Sequence, residues 1–394
     1  MGFLDTIKAT FGKKDVSVLG IDIGASAIKV VQIKRKKGRA VLETYGELAL
    51  GPYAGTEVGR ATNLTAEKNA EALSDILREA NTTTVQCGIS LPITSSLITF
   101  ISVPQVGDKQ FADVVSLEAR KYIPVPMTEV VLDWSVVPKD NVLETDQNSE
   151  SSVQQGSVAN NTSPAGFGSS SQIKSQPAKE MTDVLVVAIH NEAISSYQRV
   201  CTLSKLNPSF FEIELFSTIR AVVEQGIQAH MIMDMGARTT KLYIVERGLL
   251  RSSHVVNRGS QDITLALSRA LNISIDEAEQ IKRGYGLQGG VEHKDVAEII
   301  SLTLDYIFYE SNRVLLNYQK QTNKNIASVV LTGGGVLLKG LAELAQASFQ
   351  TQVMYADPFS KLETPAFLAD QFKMAGPEFA VAIGLALRRL SEVQ

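Results

Sequence analysis

Two stretches of the sequence, LGIDIGASAIKVVQI at residues 19–33 and MIMDMGARTTKLYIV at residues 231–245, follow one pattern. Each passes from an apolar run through Asp-x-Gly-Ala-x-x-x-Lys into a second apolar run. Alternating apolar and β-branched residues on either side of a glycine predict a strand-turn-strand hairpin in each stretch. Because the pattern occurs in two distant parts of one chain, it predicts two related α/β halves.

The repeated pattern is suited to binding phosphate groups. Glycine lets the backbone approach a ligand, successive amides form an anion-binding concavity, and an aspartate can hold a metal ion through water. A single copy is also typical of an ordinary β-turn, so the hypothesis depends on the repetition. Two such hairpins facing each other would hold one nucleotide, and the sequence has neither a Rossmann nor a P-loop fingerprint that would hold it otherwise.

Two further motifs occur in the second half. VVLTGGGVLLKGL at residues 329–341 predicts a buried strand that ends in three glycines, where a backbone can approach a flat base or a phosphate. DEAEQIKRGYG at residues 276–286 predicts a helix with Glu279, Lys282 and Arg283 on one face. Taken alone, the first is also compatible with a tight turn and the second with a solvated helix face.

Composition excludes several classes of function. The 394 residues include 38 Lys and Arg and 42 Asp and Glu, a net charge of −4, so a nucleic-acid partner is not expected. Cys87 and Cys201 lie in apolar segments and the four histidines lack ligand spacing, which argues against a disulfide framework or a His/Cys metal site. No apolar run is long enough to span a membrane.

A short N-terminal segment, residues 1–15, has apolar residues at helical spacing and lysines nearby. Packing of this segment on the domain is favoured over its contact with a membrane surface.

Together these motifs, with EFAVAIGLALR near the C-terminus, resemble those of the actin-like ATPase superfamily. Within it, the segment FADVVSLEARKYIPVPMTEVVLDWSVV and the start of the chain are similar to the PilM family of type IV pilus assembly proteins, a relative of the cell-division protein FtsA. The resemblance implies two pseudo-symmetric α/β halves around a nucleotide cleft, with a small inserted α+β, SHS2-like module. Residues 141–180 depart from the short hairpin expected there, and their Ser-, Asn-, Gln- and Gly-rich composition predicts a disordered loop.

The expected organisation can be given as ranges. These are an N-terminal segment at 1–15, a first half at 16–84, an inserted module at 85–210 including the loop 141–180, a return to the first half at 211–230, a second half at 231–375, and a C-terminal helix of the first half at 376–394.

The resemblance also implies a set of residues around ATP and Mg²⁺. Asp22 and Asp234 would flank the metal ion and hold it through water. The residues implied to contact the nucleotide are Asp22, Gly24, Ala25, Ser26, Lys29, Asp234, Gly236, Thr239, Thr240, Glu279, Lys282, Arg283, Gly333, Gly334 and Gly335. Ala25 stands where actin has a hydroxyl-bearing residue, so Ser26 or the backbone must supply that contact. The candidate catalytic carboxylates are Glu212 and Glu214, without the surrounding motif typical of Hsp70, so at most slow ATP hydrolysis is expected.

The resemblance implies a cytoplasmic ATP-binding scaffold that is peripheral at the inner membrane through its partners. The implied partners are the cytoplasmic tail of a PilN-like membrane protein, held beside the inserted module, and other pilus assembly proteins, with self-association also open. The alternatives are an FtsA-like filament-forming protein and a sugar kinase of the same superfamily. The inserted module fits a sugar pocket poorly, and the chain shows no membrane-binding helix after RRLSEVQ.

Overall fold

A computed structural model of the chain describes residues 16–138, 181–224, 226–289 and 294–393. The expectations for the N-terminal segment 1–15 and for the loop 141–180 lie outside these residues.

The described residues form both strands and helices. The strands are β1 (Ser17–Ile23), β2 (Ala27–Lys36), β3 (Arg39–Ala49), β4 (Gln86–Leu91), β5 (Ser96–Pro104), β6 (Val130–Val136), β7 (Met181–His190), β8 (Asn207–Ile213), β9 (Ala229–Met235), β10 (Thr240–Glu246), β11 (Leu249–Val256), β12 (Ile326–Thr332) and β13 (Gln352–Tyr355). The helices are α1 (Ala66–Glu79), α2 (Asp108–Ala119), α3 (Asn191–Leu203), α4 (Glu214–Val222), α5 (Ser260–Leu271), α6 (Ile275–Tyr285), α7 (Lys294–Thr322), α8 (Leu341–Phe349) and α9 (Ala369–Glu392).

Two five-stranded sheets have the same topology. The first has the order β3-β2-β1-β4-β8 and the second the order β11-β10-β9-β12-β13. In both, three strands form an antiparallel meander, a fourth strand pairs in parallel with the first strand of that meander, and a fifth pairs in parallel with the fourth. The prediction of two related α/β halves is therefore confirmed.

The first half is a sheet covered by helices on both faces. Alternate residues of β1 point to opposite faces, so Val18 packs against α9 while Leu19 packs with α1. Helix α9 lies so close to β1 that a side chain at Gly20 would collide with the carbonyl oxygen of Ala382. Helix α1 begins after Thr65, whose hydroxyl accepts a hydrogen bond from the amide of Lys68, as expected of an N-cap.

The second half has its own core. Met231, Met233 and Met235 of β9 pack with residues of α5 and α7, including Ile263 and Leu304. The long α7 contributes the largest share of helical residues to this core, because one of its faces is apolar over most of its length.

The inserted unit consists of residues Ile98–Ala188, and the remainder of the chain forms the other compact unit. Its described residues form the three-stranded sheet β5-β7-β6 and the helix α2. Phe111 of α2 packs edge to face on Trp134 of β6, with ring centroids 5.2 Å apart. Whether this unit is an SHS2 domain stays a prediction.

The structure corrects two of the expected boundaries. The inserted module does not extend over 85–210, because β4 pairs with β1, β8 pairs with β4, and α3 packs against α1 in the first half. The second half does not continue to residue 375, because Phe359 and Phe372 lie in the core of the first half. Both boundaries depend on strand pairing and on packing between distant segments, which the local sequence does not encode.

No helix among the described residues is long and apolar enough to cross a membrane.

Candidate functional site

The two repeated stretches fold into matching hairpins. Asp22 on β1 lies directly opposite Lys29 on β2, and Asp234 on β9 lies directly opposite Lys241 on β10. The two turns also close alike: the amide of Gly24 donates to the carbonyl of Ala27 at 3.0 Å, and the amide of Gly236 to that of Thr239 at 2.9 Å. Equal spacing along the sequence has thus produced equal geometry in the two halves.

Both hairpins line one cavity of about 760 Å³, within the usual size range of a small-molecule site. The predicted residues that line it are Asp22, Gly24, Ala25, Ser26, Lys29, Glu214, Asp234, Gly236, Thr239, Glu279, Lys282, Arg283, Gly333, Gly334 and Gly335. The fold therefore brings together residues that are far apart in the chain.

Thr240 is a predicted contact residue that does not line the cavity. Its side chain is fully buried, and its hydroxyl donates to the carbonyl oxygen of Arg258 at 2.9 Å. Successive residues at the start of a strand point to opposite sides, so Thr239 lines the cavity and Thr240 packs in the interior. Thr240 is therefore a structural residue of the second hairpin.

Glu212, one of the two candidate catalytic carboxylates, also lies away from the cavity lining. It is buried in the first half, where both of its oxygens accept hydrogen bonds at 2.7 Å from Arg220, and one also accepts from Arg388 at 2.7 Å. Burial by itself would raise the pKa of Glu212, but Arg220, Ser217 and Arg388 together hold that pKa below its ordinary value. This carboxylate joins β8 to α4 and α9.

Glu214 does line the cavity, and it is paired with a lysine. Lys241 Nζ lies 2.6 Å from Glu214 Oε2 and 3.3 Å from Asp234 Oδ2, while the amide of Ile93 donates to Glu214 Oε1 at 2.9 Å. Burial raises the pKa of Glu214. Burial alone would lower the pKa of Lys241, but Asp234 and Glu214 outweigh it and raise that pKa, so the ammonium keeps its charge.

The lysine of the first hairpin has other partners. Lys29 Nζ lies 3.4 Å from Glu47 and 3.9 Å from Glu378, whereas Asp22 accepts a hydrogen bond from the hydroxyl of Ser90 at 2.7 Å. Burial raises the pKa of Asp22. Burial and the neighbouring Glu47 raise the pKa of Glu378 to about 7, against the opposing effect of Lys29.

The helix α6 supplies a third group of side chains. Glu279 accepts hydrogen bonds from the hydroxyl of Thr264 at 2.6 Å and from Arg283 Nε at 2.7 Å, and it pairs with Lys282 at 2.6 Å. Burial alone would raise the pKa of Glu279, but Lys282 and these donors lower it. A side chain at Gly59, which has a φ of +87°, would collide with Glu279, so a loop of the first half approaches this helix closely.

The glycine turn lies against the second hairpin. Gly333 has a φ of +84°, and a Cβ atom there would lie 2.5 Å from Asp234 Oδ1. Its amide donates to the carbonyl of Pro377, which lies inside α9, at 2.9 Å. After Gly333 the chain forms a short 3-10 helix, Gly334–Leu337, and α8 begins only at Leu341.

Sequence reasoning missed several residues of the cavity. Glu47 and Glu378 come from unrelated segments and carry no local motif. Arg238 bridges the halves: its guanidinium donates to the side chain of Asn63 at 2.9 Å and to the carbonyl of Thr62 at 2.8 Å. The sequence signal for Arg238 is its place inside the second repeated stretch, at one of the positions that the shared pattern leaves unspecified.

The donors around the cavity fit a nucleotide with a divalent ion. Two carboxylates, Asp22 and Asp234, stand where each meander makes its first turn, and Lys29 and Lys241 provide positive charge for phosphate groups. Among the described residues, no group of three or more His, Cys, Asp or Glu side chains could hold a metal ion alone. A metal ion here would therefore be shared with phosphate oxygens and water, which Mg²⁺ prefers.

The fold and this cleft define a protein with the actin-like ATPase fold. A chain of the PilM–PilN type IV pilus biogenesis complex superposes with a TM-score of 0.75 at 24% identity, over 96% of this chain and 99% of that one. The ethanolamine utilization protein EutJ from Carboxydothermus hydrogenoformans superposes with a TM-score of 0.51 at 13% identity, over 95% of this chain and 90% of its own.

This chain belongs to the type IV pilus assembly protein PilM family, whose model matches residues 20–151 and 170–390. It is also 25% identical over 370 residues to the cell division protein FtsA of Neisseria meningitidis. That alignment covers 86% of this chain and 82% of FtsA. The resemblance found from the motifs is therefore confirmed.

Proposed function

We propose that this chain is a cytoplasmic ATP-binding scaffold of the type IV pilus assembly machinery, peripheral at the inner membrane, that holds the cytoplasmic tail of a PilN-like membrane protein. Membership of the PilM family supports the pilus role. The similarity to a PilM–PilN complex supports the partner. The observation that supports nucleotide binding is the pair of matching hairpins, each of which contributes an aspartate and a lysine to the lining of one cavity.

In this proposal each group of residues has its own task. The amides of Ala25 and Ser26 would donate to phosphate oxygens, with Thr239 on the other side, while Gly24 and Gly236, whose amides close the two turns, would let the backbone approach the phosphates. Asp22 and Asp234 would hold Mg²⁺ through water, and the ion would offset phosphate charge. The residues that would surround the adenosine are Glu279, Lys282, Arg283, Gly333, Gly334 and Gly335.

The proposal includes at most slow ATP hydrolysis. A general base must be free to accept a proton from water within hydrogen-bond reach. Glu214 is the candidate in the cavity, yet one of its oxygens accepts from Lys241 and the other from the amide of Ile93. Both oxygens of this carboxylate are therefore already engaged, which favours a binding role over turnover.

The inserted unit is the proposed docking surface for the tail. Its edge strands, β5 and β6, each pair with β7 on one side, and they expose Phe100 and Val131, the latter 48% accessible. An extended peptide can add to such an edge through main-chain hydrogen bonds, with apolar side chains filling shallow pockets.

Calorimetry tests the nucleotide assignment. Titration of the full chain with ATP and Mg²⁺ should give saturable binding, and Asp22→Ala combined with Asp234→Ala should remove it. Asp305→Ala, an exposed acidic residue on α7, is the matched control and should bind like the wild type. Unchanged affinity in the double variant, with an unchanged melting temperature, would contradict the assignment.

Fluorescence anisotropy tests the partner. A labelled tail peptide of a PilN-like protein should bind the full chain, and Phe100→Asp or Val131→Asp should weaken that binding by about tenfold, as loss of an interface anchor does. Leu302→Asp, at an exposed apolar residue in the other unit, is the control. Equal binding by all four proteins would show that the inserted unit is not the docking surface.

The similarity to FtsA supports one second candidate, self-association into filaments. Sedimentation of the chain with ATP and Mg²⁺ at increasing protein concentration tests it. A species that stays monomeric throughout would exclude it.

A further inference from the structure

We infer that the outward face of α7 is the interface through which two copies of this chain form a closed dimer, with the two helices antiparallel and Tyr309 at the two-fold axis. This contact is independent of the proposed nucleotide site, since no described residue of α7 lines the cavity.

The outward face of α7 is apolar, although the exposed face of a surface helix is ordinarily polar. It lies opposite the face that contributes Leu304 and other residues to the core of the second half. Four large side chains form it, and they are 66%, 52%, 65% and 52% exposed: Leu302, Tyr306, Tyr309 and Leu316. A contiguous apolar surface of this kind on a long helix marks an interaction site.

The spacing of these four side chains is that of a helix pair. Together with Arg313 they recur at intervals of four, three, four and three residues, which are the a and d positions of a heptad repeat. At 1.5 Å per residue, the seam from Leu302 to Leu316 is about 21 Å long. The partner that fits such a seam is a second helix with the same spacing.

The seam is complementary to itself when two copies of α7 run antiparallel about Tyr309. Leu302 then lies level with Leu316 of the second copy, and the two Tyr309 rings meet at the axis. Because the same patch serves both copies, the contact is satisfied in a dimer and leaves no surface of this kind for a third chain.

Charged residues along the seam favour the same arrangement. In this register Glu298 lies level with Lys320 of the second copy, and Asp305 lies level with Arg313. Glu298, Asp305 and Lys320 are exposed, and none of them has an ion pair with another described residue of its own chain. Arg313 pairs with Glu310 at 2.7 Å, but its side chain is still 52% exposed.

The parallel arrangement is opposed by the same charges. Two parallel helices in register would place Glu298 beside Glu298 and Lys320 beside Lys320, and like charges at such positions are unfavourable. The antiparallel pair instead has opposite charges level with each other at both ends of the seam. The sequence of α7 therefore selects a second copy of itself in one orientation.

Sedimentation equilibrium of the full chain without nucleotide tests the dimer. One helix pair buries less than the about 1,600 Å² of a standard interface, so half of the protein should be dimeric at about 10 to 100 µM. Over a range of about 1 to 300 µM, the mean mass should rise from that of the monomer towards that of the dimer and stop there.

Tyr309→Asp is the variant for the centre of the seam. It replaces two aromatic anchors by two carboxylates at the axis, so the dimer should weaken by about tenfold or more. Phe367→Asp is the matched control, at an apolar residue away from α7 that is 84% exposed, and it should dimerise like the wild type. If Tyr309→Asp does not fold, Leu316→Asp should give the same loss.

Two charge reversals test the orientation. Glu298→Lys and Lys320→Glu each place like charges level with each other, so each variant alone should dimerise about threefold to tenfold more weakly than the wild type. An equal mixture of the two variants should recover the affinity of the wild type, because the mixed dimer again has opposite charges at both ends.

Several results would overturn the inference. A wild type that stays monomeric over the whole range would mean that the seam does not receive a second copy. A mass that rises beyond the dimer, or equal dimerisation of Tyr309→Asp and the wild type, would likewise exclude this interface. Single charge reversals that dimerise as tightly as their mixture would exclude the antiparallel register. All of these outcomes leave the proposed function standing, since ATP and the tail peptide are absent from the experiment.

Discussion

At the scale of single residues, Gly333 has the most demanding position in the cavity. Its φ of +84° lies in the left-handed region, and a Cβ atom would approach Asp234 Oδ1 and the carbonyl of Met235. We expect Gly333→Ala to lower the free energy of unfolding by about 2 kcal/mol and to weaken ATP binding, since strain and collision add. Gly334→Ala, whose Cβ would meet nothing closer than 3.7 Å, is the matched control and should be tolerated. Chemical denaturation measures both, and equal stability of the two variants would contradict the account.

Glu378 predicts a dependence of stability on pH. Burial and Glu47 raise its pKa to about 7, so between about pH 5 and 7 the folded chain binds a proton that the unfolded chain has lost, and stability falls as pH rises. Glu378→Gln removes this effect, and relative to the wild type it should gain on the order of 2 kcal/mol from pH 5 to pH 8. Urea unfolding across this range measures the difference, and a constant difference would contradict the prediction.

The contribution of Glu212 to stability should depend on pH in the opposite direction to that of Glu378. The pKa of Glu212 is held below its ordinary value of 4.5, so its stabilising effect is full above pH 4.5 and is lost as the pH falls through the folded-state pKa. The destabilisation caused by Glu212→Gln should therefore be present at pH 7 and shrink in acid. ATP affinity should not change, since Glu212 does not line the cavity.

At the scale of elements, the contact between α9 and α4 depends on one glycine. A side chain at Gly384 would collide with the carbonyl oxygen of Ser217, so Gly384→Ala must push the two helices apart. We expect a loss of about 2 kcal/mol or more in the free energy of unfolding, as for other overpacked contacts. Gly284→Ala, a helical glycine of α6 with open space around it, should instead be neutral or stabilise by up to about 1 kcal/mol. Thermal unfolding of the two variants compares them, and a similar melting temperature for both would refute the packing argument.

At the scale of the whole molecule, a small set of polar contacts joins the two halves at the mouth of the cavity. Arg238 on the second hairpin donates to Asn63 and to the carbonyl of Thr62, whose amide in turn donates to the carbonyl of Ala25 on the first hairpin. The side chain of Gln261 accepts from the amide of Ala61 at 2.9 Å. These bonds connect both hairpins through one loop of the first half.

Arg238→Ala tests whether these contacts hold the cavity closed. The side chain is exposed, so its loss should change the free energy of unfolding by less than about 1 kcal/mol, yet ATP affinity should fall by about threefold to tenfold if closure is part of binding. Arg269→Ala, an exposed arginine on α5, is the control and should leave affinity unchanged. Calorimetry decides, and identical affinities for the two variants would mean that the loop does not contribute to closure.

The sequence by itself determined those features that depend on near neighbours in the chain. The two hairpins follow from strand alternation around Gly24 and Gly236, and the start of α1 follows from the hydroxyl of Thr65. Because these patterns use hydrogen bonds between residues a few positions apart, the repeated motif was enough to predict two related halves and the part of the cavity lining that the two hairpins supply.

Only the tertiary structure decided which partner each side chain meets. Lys29 and Lys241 occupy the same position in the same motif, but Lys29 lies near Glu47 and Glu378 while Lys241 lies between Glu214 and Asp234. The sheet to which β4 belongs and the residue at which the chain returns to the first half were decided in the same way. Such pairings depend on contacts between segments far apart in the chain, which the local alternation of apolar and polar residues does not encode.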